Sequence, residues 1–125
     1  MVSAEHIESI VRRYLRLVAS GTADEIADLF ADDATVEDPV GGGEVHIGRH
    51  AIIGFYRNIE SVPRETELLA LRVCGHEAAF MFVITVGAAE GSRMRIEPID
   101  VMVFDGEGRI GSMKAYWSPA DVATV

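Results

Sequence analysis

The sequence predicts an α+β domain in which helices cover one face of a mostly antiparallel sheet. Three observations carry that reading. Apolar residues at helical spacing are confined to the first 60 residues. From about residue 65 onward the spacing becomes two, the period of strands. The segment 77–89 carries Phe80, Phe82, Ile84 and Val86 on one side and Met81 and Val83 on the other, so it belongs in the middle of a sheet. Helices followed by a run of long strands define the α+β class.

Taken in order, residues 4–19 set Ile7, Ile10, Val11, Tyr14 and Val18 along one stripe, with Ser3 as the N-cap. Tyr14 lies in mid-stripe, and a buried phenol needs a partner for its hydroxyl. Gly21 closes this helix, and Thr22-Ala23-Asp24-Glu25 is a capping box that opens the next. That helix buries Ile26, Leu29 and Phe30 and ends at Asp32-Asp33. Ala34 to Asp38 reads as a short strand with Val36 and Asp38 on its inner face. Pro39 then holds Asp38 extended, before the permissive Gly41-Gly42-Gly43 loop. Residues 50–60 form a third helix presenting Ile52, Phe55, Tyr56 and Ile59, and Pro63 ends it. Strands are expected over 65–74, 77–89, 92–104 and 109–118, with Leu69, Leu71, Val73, Ile99, Val101 and Val103 on the face that no helix is left to cover. Such a face predicts contact with another subunit.

The chain of 125 residues reads as one domain, 1–125, with 49% hydrophobic and 25% charged residues. Its net charge of −9 repels phosphate backbones and anionic lipid, which excludes nucleic acid and membranes as partners. The N-terminus lacks a signal-peptide profile, no apolar run is long enough to span a bilayer, and Cys74 is the single cysteine. A cytoplasmic location is the expectation.

Chemistry concentrates on residues 94–104. Met94, Ile96, Pro98, Asp100, Met102 and Phe104 share a strand face, and five of the six are apolar. A carboxylate there is expensive unless it is paired or keeps its proton. Asp38 is a second candidate, because a strand end beside glycines lets an acid point into a cavity. Other patterns carry less. Gly106-Glu107-Gly108-Arg109-Ile110-Gly111 matches a dinucleotide-binding string, but a strand-like run follows it, so it predicts a hairpin turn. His46 and His50 are four apart with Gly48 between them, which gives no metal site. Cys74, with no basic neighbour, reads as an inert core thiol.

Arg13-Tyr14, the run from Leu29 to Gly41 (LFADDATVEDPVG), Phe55-Tyr56, Pro98-Ile99-Asp100 and Phe104-Asp105 together resemble the Δ5-3-ketosteroid isomerases of the NTF2-like superfamily, over nearly the whole chain. The resemblance implies a cone in which a curved, mostly antiparallel sheet wraps three N-terminal helices around an apolar pocket, in a homodimer. It implies a steroid substrate, no cofactor, and a double bond moved from C5–C6 to C4–C5 of a 3-oxo steroid. Carried onto this chain, Asp38 is the base that shuttles the proton from C4 to C6, while Tyr14 and a protonated Asp100 donate hydrogen bonds to the C3 oxygen. These isomerases are themselves the well-known case of one carboxyl kept neutral while another stays ionised, and the resemblance brings that division of roles with it. Phe55, Phe82, Ile84, Val86, Met113 and Trp117 are expected around the substrate, with Tyr56 supporting Tyr14 from behind. Phe30 stands where some relatives have a tyrosine, and the segment from Gly42 to His46 is one residue longer than in close relatives. Other members of the superfamily, such as polyketide cyclases and epoxide hydrolases, or a non-catalytic binder of hydrophobic ligands, share the cone and are the alternatives.

Overall fold

A computed structural model describes residues 2–88 and 90–125. Three helices, α1 (Ala4–Ser20), α2 (Ala23–Ala27) and α3 (Arg49–Glu60), sit against one sheet of eight strands. The strands are β1 (Phe30–Glu37), β2 (Val45–Ile47), β3 (Arg64–Cys74), β4 (Glu77–Val86), β5 (Met94–Ile96), β6 (Ile99–Phe104), β7 (Ile110–Tyr116) and β8 (Val122–Thr124). The order is β2-β1-β7-β6-β4-β5-β8, with β3 on the other edge of β4. Among the described residues only β1 and β7 run parallel; the other pairings are antiparallel. This is the expected α+β cone. No helix among the described residues is long and apolar enough to cross a membrane.

The helix caps form as their sequences dictate. Ser3 accepts the amide of His6, Gly21 caps α1, and Thr22 and Glu25 complete a reciprocal capping box. Ile7, Val11, Tyr14, Leu15 and Val18 bury the inner stripe of α1. Arg64 ties the helices together at their C-terminal ends. Its guanidinium donates to the carbonyls of Val18, Gly21, Glu60 and Val62, at 2.5, 2.8, 3.0 and 3.2 Å. A cation suits these carbonyls because they lie at the negative ends of the α1 and α3 dipoles.

Four expectations need correction. The second helix is short: Leu29 accepts the Ile110 amide and Phe30 pairs with Ile110, so pairing with β7 draws 30–37, including Asp32 and Asp33, into β1. The expected strand over 92–104 is two strands. Pro98 has no amide to donate, and Glu97 gives its own to Asp121, so the ladder breaks between β5 and β6. Both pieces still pair with β4, β6 along Glu77–Met81 and β5 along Ile84–Val86.

The third correction concerns facing. Leu68 pairs with Phe82 but Ala70 with Met81, which leaves Leu69 as an extra, unpaired residue. This bulge reverses the alternation of everything after it. Leu71 and Val73 therefore pack against the core beside Phe80 and Ala78, while Leu69 stays 46% exposed. The fourth follows from the same shift: Cys74 faces outward and is exposed, not a core thiol. Met81, Ile99 and Tyr116 remain as exposed large apolar groups on the convex face.

The strands β2 and β8 and the 3-10 turn Pro119–Asp121 were not anticipated. Of the strand expected over 77–89, the described part ends at Val86, and Ala89 lies outside the described residues. The Gly106–Gly111 string is the turn of the β6–β7 hairpin. Gly108 has φ +82, and a Cβ there would come within 2.6 Å of His6 Nε2, which bonds the Gly108 carbonyl.

Candidate active site

The concave side of the sheet and the helices enclose a cavity of about 210 Å³. Its wall draws Tyr14 and Val18 from α1, Phe55, Tyr56, Asn58 and Ile59 from α3, and Phe82, Ile84 and Val86 from β4. Asp38 just after β1, Ile96 and Pro98 at the β5–β6 break, and Trp117 just after β7 complete it. Tyr14, Tyr56 and Phe82 are buried, whereas Asn58 is exposed, so the cavity runs from a dry end to a wet rim. A wider groove of about 630 Å³ lies between α1 and β3, but Glu5, Glu8, Arg12 and Arg72 at its edges are not buried. It holds no buried titratable group, whereas the smaller cavity is lined by the buried Tyr14 and Tyr56 and the half-buried Asp38.

At the dry end the Tyr14 and Tyr56 hydroxyls are 2.8 Å apart, and the Tyr56 hydroxyl lies 3.8 Å from Met113 Sδ. The Tyr14 ring meets Phe30, Tyr56 and Phe80 edge-on, which fixes its orientation. Phe30 thus supplies packing in place of a further hydroxyl. Burial raises the Tyr14 pKa well above 10.0, with smaller upward contributions from Tyr56, Asp100 and Asp38, so the phenol keeps its proton.

Asp100 sits beside Phe80 and Ala115 in the ladder and is only 1% exposed. Its Oδ1 is buried without a hydrogen-bond partner among the described residues. Burial, and then the nearby Asp38 charge, raise its pKa well above 3.8. A buried polar atom left unpaired costs about 1–3 kcal/mol. Such a cost is explicable when the group is a donor waiting for an acceptor. Asp100 lies behind the cavity wall rather than on it, close enough to Tyr14 and Tyr56 to raise both of their pKa values.

Asp38 is different. It is half-buried, and Oδ1 accepts a 2.6 Å hydrogen bond from Trp117 Nε1. Burial raises its pKa, but the Trp117 bond and then the charge of His46 oppose the rise. The two acids therefore differ in environment: one is dry and unpaired, the other bonded and in reach of water. That difference is what a base and a neutral donor require of two chemically identical side chains.

The structure puts Tyr14, Asp38, Tyr56, Phe55, Phe82, Ile84, Val86 and Trp117 on the wall of one cavity, and sets Asp100 behind that wall near both tyrosines. Met113 is not on the wall. It is fully buried beneath Tyr56, because its pairing with Met102 and Val36 holds it in the sheet's inner layer. Sequence reasoning missed Val18, Asn58, Ile59, Ile96 and Pro98 as wall residues, and missed Trp117 as a donor to Asp38. The last was available in principle, since an indole in an apolar pocket needs an acceptor for its N–H. Among the described residues no group of three or more His, Cys, Asp or Glu side chains is placed to hold a metal.

An apolar cavity with Tyr14, Tyr56 and Asp38 on its wall and Asp100 behind it lies at the centre of an NTF2-like cone. Residues 11–113 match the SnoaL-like domain model, and the chain belongs to that family, within the NTF2-like fold. It is 47% identical over 121 residues to the steroid Delta-isomerase of Nocardioides simplex, covering 97% of this chain and 96% of that one. Among solved structures it resembles SalBIII, described as an epoxide hydrolase/cyclase-like enzyme in pyran ring formation in polyether salinomycin. The TM-score there is 0.87 at 28% identity, with 100% of both chains covered. It resembles the Δ5-3-ketosteroid isomerase of a Mycobacterium species with TM-score 0.86 at 22% identity, covering 96% of this chain and 98% of that one. This last likeness speaks to the fold.

Burial of Asp100 has a consequence for stability against pH. Its folded pKa lies above the unfolded value near 3.9, so the stability it contributes is complete below about pH 4 and is lost as pH rises toward the folded pKa. Asp100→Asn has no proton to lose. The variant should gain on the wild type by up to about 1.4 kcal/mol per pH unit above about pH 4. Urea midpoints of both proteins across about pH 4 to 8 measure the gap, and a gap independent of pH would mean that Asp100 is not held protonated.

Proposed function

We propose that this protein is a steroid Delta-isomerase that converts 3-oxo-Δ5-steroids into 3-oxo-Δ4-steroids. The observation that carries the reading is the pairing of an unpartnered, buried Asp100 with a hydrogen-bonded Asp38 around one apolar cavity, in a chain 47% identical to a steroid Delta-isomerase. Asp38, as carboxylate, takes a proton from C4, and the C3 carbonyl becomes a dienolate oxygen. Tyr14 and the Asp100 carboxyl donate to that oxygen, and the buried end of the cavity strengthens both bonds by excluding water. Asp38 then returns the same proton to C6. Nothing is added or removed overall, so the route needs only these side chains.

The geometry supports the roles of Tyr14 and Asp38. The Tyr14–Tyr56 contact lets Tyr56 donate to Tyr14, freeing the Tyr14 proton for the substrate. The Trp117 bond holds the Asp38 carboxylate at the wall without burying it in a cage. The wall itself is aliphatic and aromatic, as a fused hydrocarbon skeleton requires, with a wet rim at Asn58 for its far end. SalBIII shares the fold at lower identity; the relative that shares nearly half of the sequence favours isomerase chemistry over the cyclase type. The single, unpaired Cys74 suits the reducing cytoplasm.

The active form is proposed to be a homodimer joined through the convex sheet face. Met81, Ile99 and Tyr116 lie there 38%, 40% and 46% exposed, and Val101 lies between Ala79 and Lys114 in the same layer. Ile99→Glu should dissociate or unfold the protein, because its ladder neighbours Met81 and Tyr116 offer no counter-charge and a carboxylate buried without a partner is costly. Sedimentation at micromolar concentration checks this, and a monomeric wild type would rule the dimer out.

The catalytic reading is tested by ultraviolet detection of the conjugated enone formed from 5-androstene-3,17-dione. Wild type should turn it over, and Asp38→Asn, which keeps the shape but loses the basic oxygen, should be slower by at least ~10²-fold. Near-normal turnover by Asp38→Asn would remove Asp38 from the role of base.

A further inference from the structure

The β1–β2 ladder pairs Val36 with His46. Directly paired residues project to the same side of a sheet, and Val36 is fully buried on the concave side, so His46 faces inward from the edge strand. Its ring lies 4.7 Å from the ring of Phe55, tilted by 34°, and Phe55 shares the cavity wall with Asp38. Asp38 is two residues beyond Val36 and therefore on the same side of the chain. His46 is thus a half-exposed imidazole at the lip of the cavity, on the side where the carboxylate stands. No hydrogen bond or ion pair joins the two side chains among the described residues, so any influence acts through space.

We propose that His46 is a positioning residue for the proton shuttle: its positive charge keeps the Asp38 carboxylate ionised and sets the acid end of the working pH range. The inference rests on the reading of Asp38 as base. Its force comes from what else surrounds that carboxylate. From the segment after β7, Trp117 donates a hydrogen bond but carries no charge. From α1 and α3, Tyr14 and Tyr56 are held neutral by burial, and from β6 Asp100 also keeps its proton. Glu37, next in the chain, accepts the Gly41 amide and belongs to the opposite face. Arg49, the nearest arginine along the chain, is paired with Asp28. Facing His46 itself are Asp38 from the β1 side and Phe55 from α3. His46 is the one group in this set able to bring a positive charge.

Burial pushes the Asp38 pKa up, and the His46 charge, after the Trp117 bond, holds it down. The Trp117 bond is neutral, so of these two neighbours only His46 can act on Asp38 through charge. A positive charge at the cavity lip thus opposes the effect of burial on the base.

The test compares wild type with His46→Gln, which removes the charge, and His46→Arg, which makes it permanent. The Asp38 carboxyl carbon is followed by carbon NMR against pH, its signal assigned with Asp38→Asn. The Gln variant should titrate higher than wild type by roughly half a pH unit, and the Arg variant at or below wild type. The acid limb of kcat/KM should move in the same direction in each variant. An Asp38 midpoint unchanged in His46→Gln would overturn the proposal. So would a midpoint raised equally in both variants, since that is the signature of lost packing on Phe55. A wild type without isomerase turnover would sink the catalytic reading instead, and the carboxyl titration would still decide the role of His46.

Discussion

The organising constraint is one carboxyl group with no partner. Asp100 stands in the inner layer of the sheet, between Phe80 and Ala115, with an oxygen buried and unbonded. Apolar surroundings disfavour its charge and favour the protonated form, and only a carboxyl with its proton can donate to an oxyanion. Tyr14 is governed by the same rule and gives the same result. On the proposed reading, the stability lost at Asp100 is the cost of a donor that is in place before the substrate arrives, which spares reorganisation at the moment of reaction.

The fold makes this arrangement possible by breaking its own regularity at two points. Pro98 interrupts what would be one long strand, so β6 presents Asp100, Met102 and Phe104 inward while β5 diverges to the rim with Ile96. The Leu69 bulge re-aims β3 so that Leu71 and Val73 join the core. Arg64 then binds the ends of α1 and α3 through four carbonyls. Val18 and Ile59, near those ends, are thereby held as cavity wall. Asp38 occupies the opposite condition, at a strand end with an indole donor and a neighbouring imidazole. Two aspartates thus diverge because one is paired on both sides within the sheet and the other stands just past a strand end.

Much of this was legible in the sequence. Period-2 spacing put Asp100 on an apolar face, the helical stripe buried Tyr14, and Pro39 with its glycines singled out Asp38. Helix caps at Ser3, Gly21 and Thr22 follow from local chemistry alone, which is why sequence and structure agree there. What failed was long-range. Pairing with β7 turned 30–33 from helix to strand, and a bulge of one residue reversed Leu71, Val73 and Cys74; neither leaves a local signal. Met113 was misplaced because an apolar residue on an inward face is equally consistent with wall and with the layer beneath it. The Trp117–Asp38 bond spans 79 residues, beyond what pattern reading along the chain detects.

The claim on which the account stands is that Asp100 acts as a neutral donor, and replacing it two ways tests this most directly. Asp100→Asn keeps a hydrogen-bond donor in about the same place, whereas Asp100→Leu keeps the volume and removes donation. Loss of one oxyanion donor typically lowers the rate ~10²–10³-fold, so the Leu variant should fall by about that much and the Asn variant clearly less. Steady-state turnover of 5-androstene-3,17-dione by both, with folding verified by circular dichroism, gives the order. An Asn variant as slow as the Leu variant would mean that Asp100 works through a negative charge, and would contradict the account.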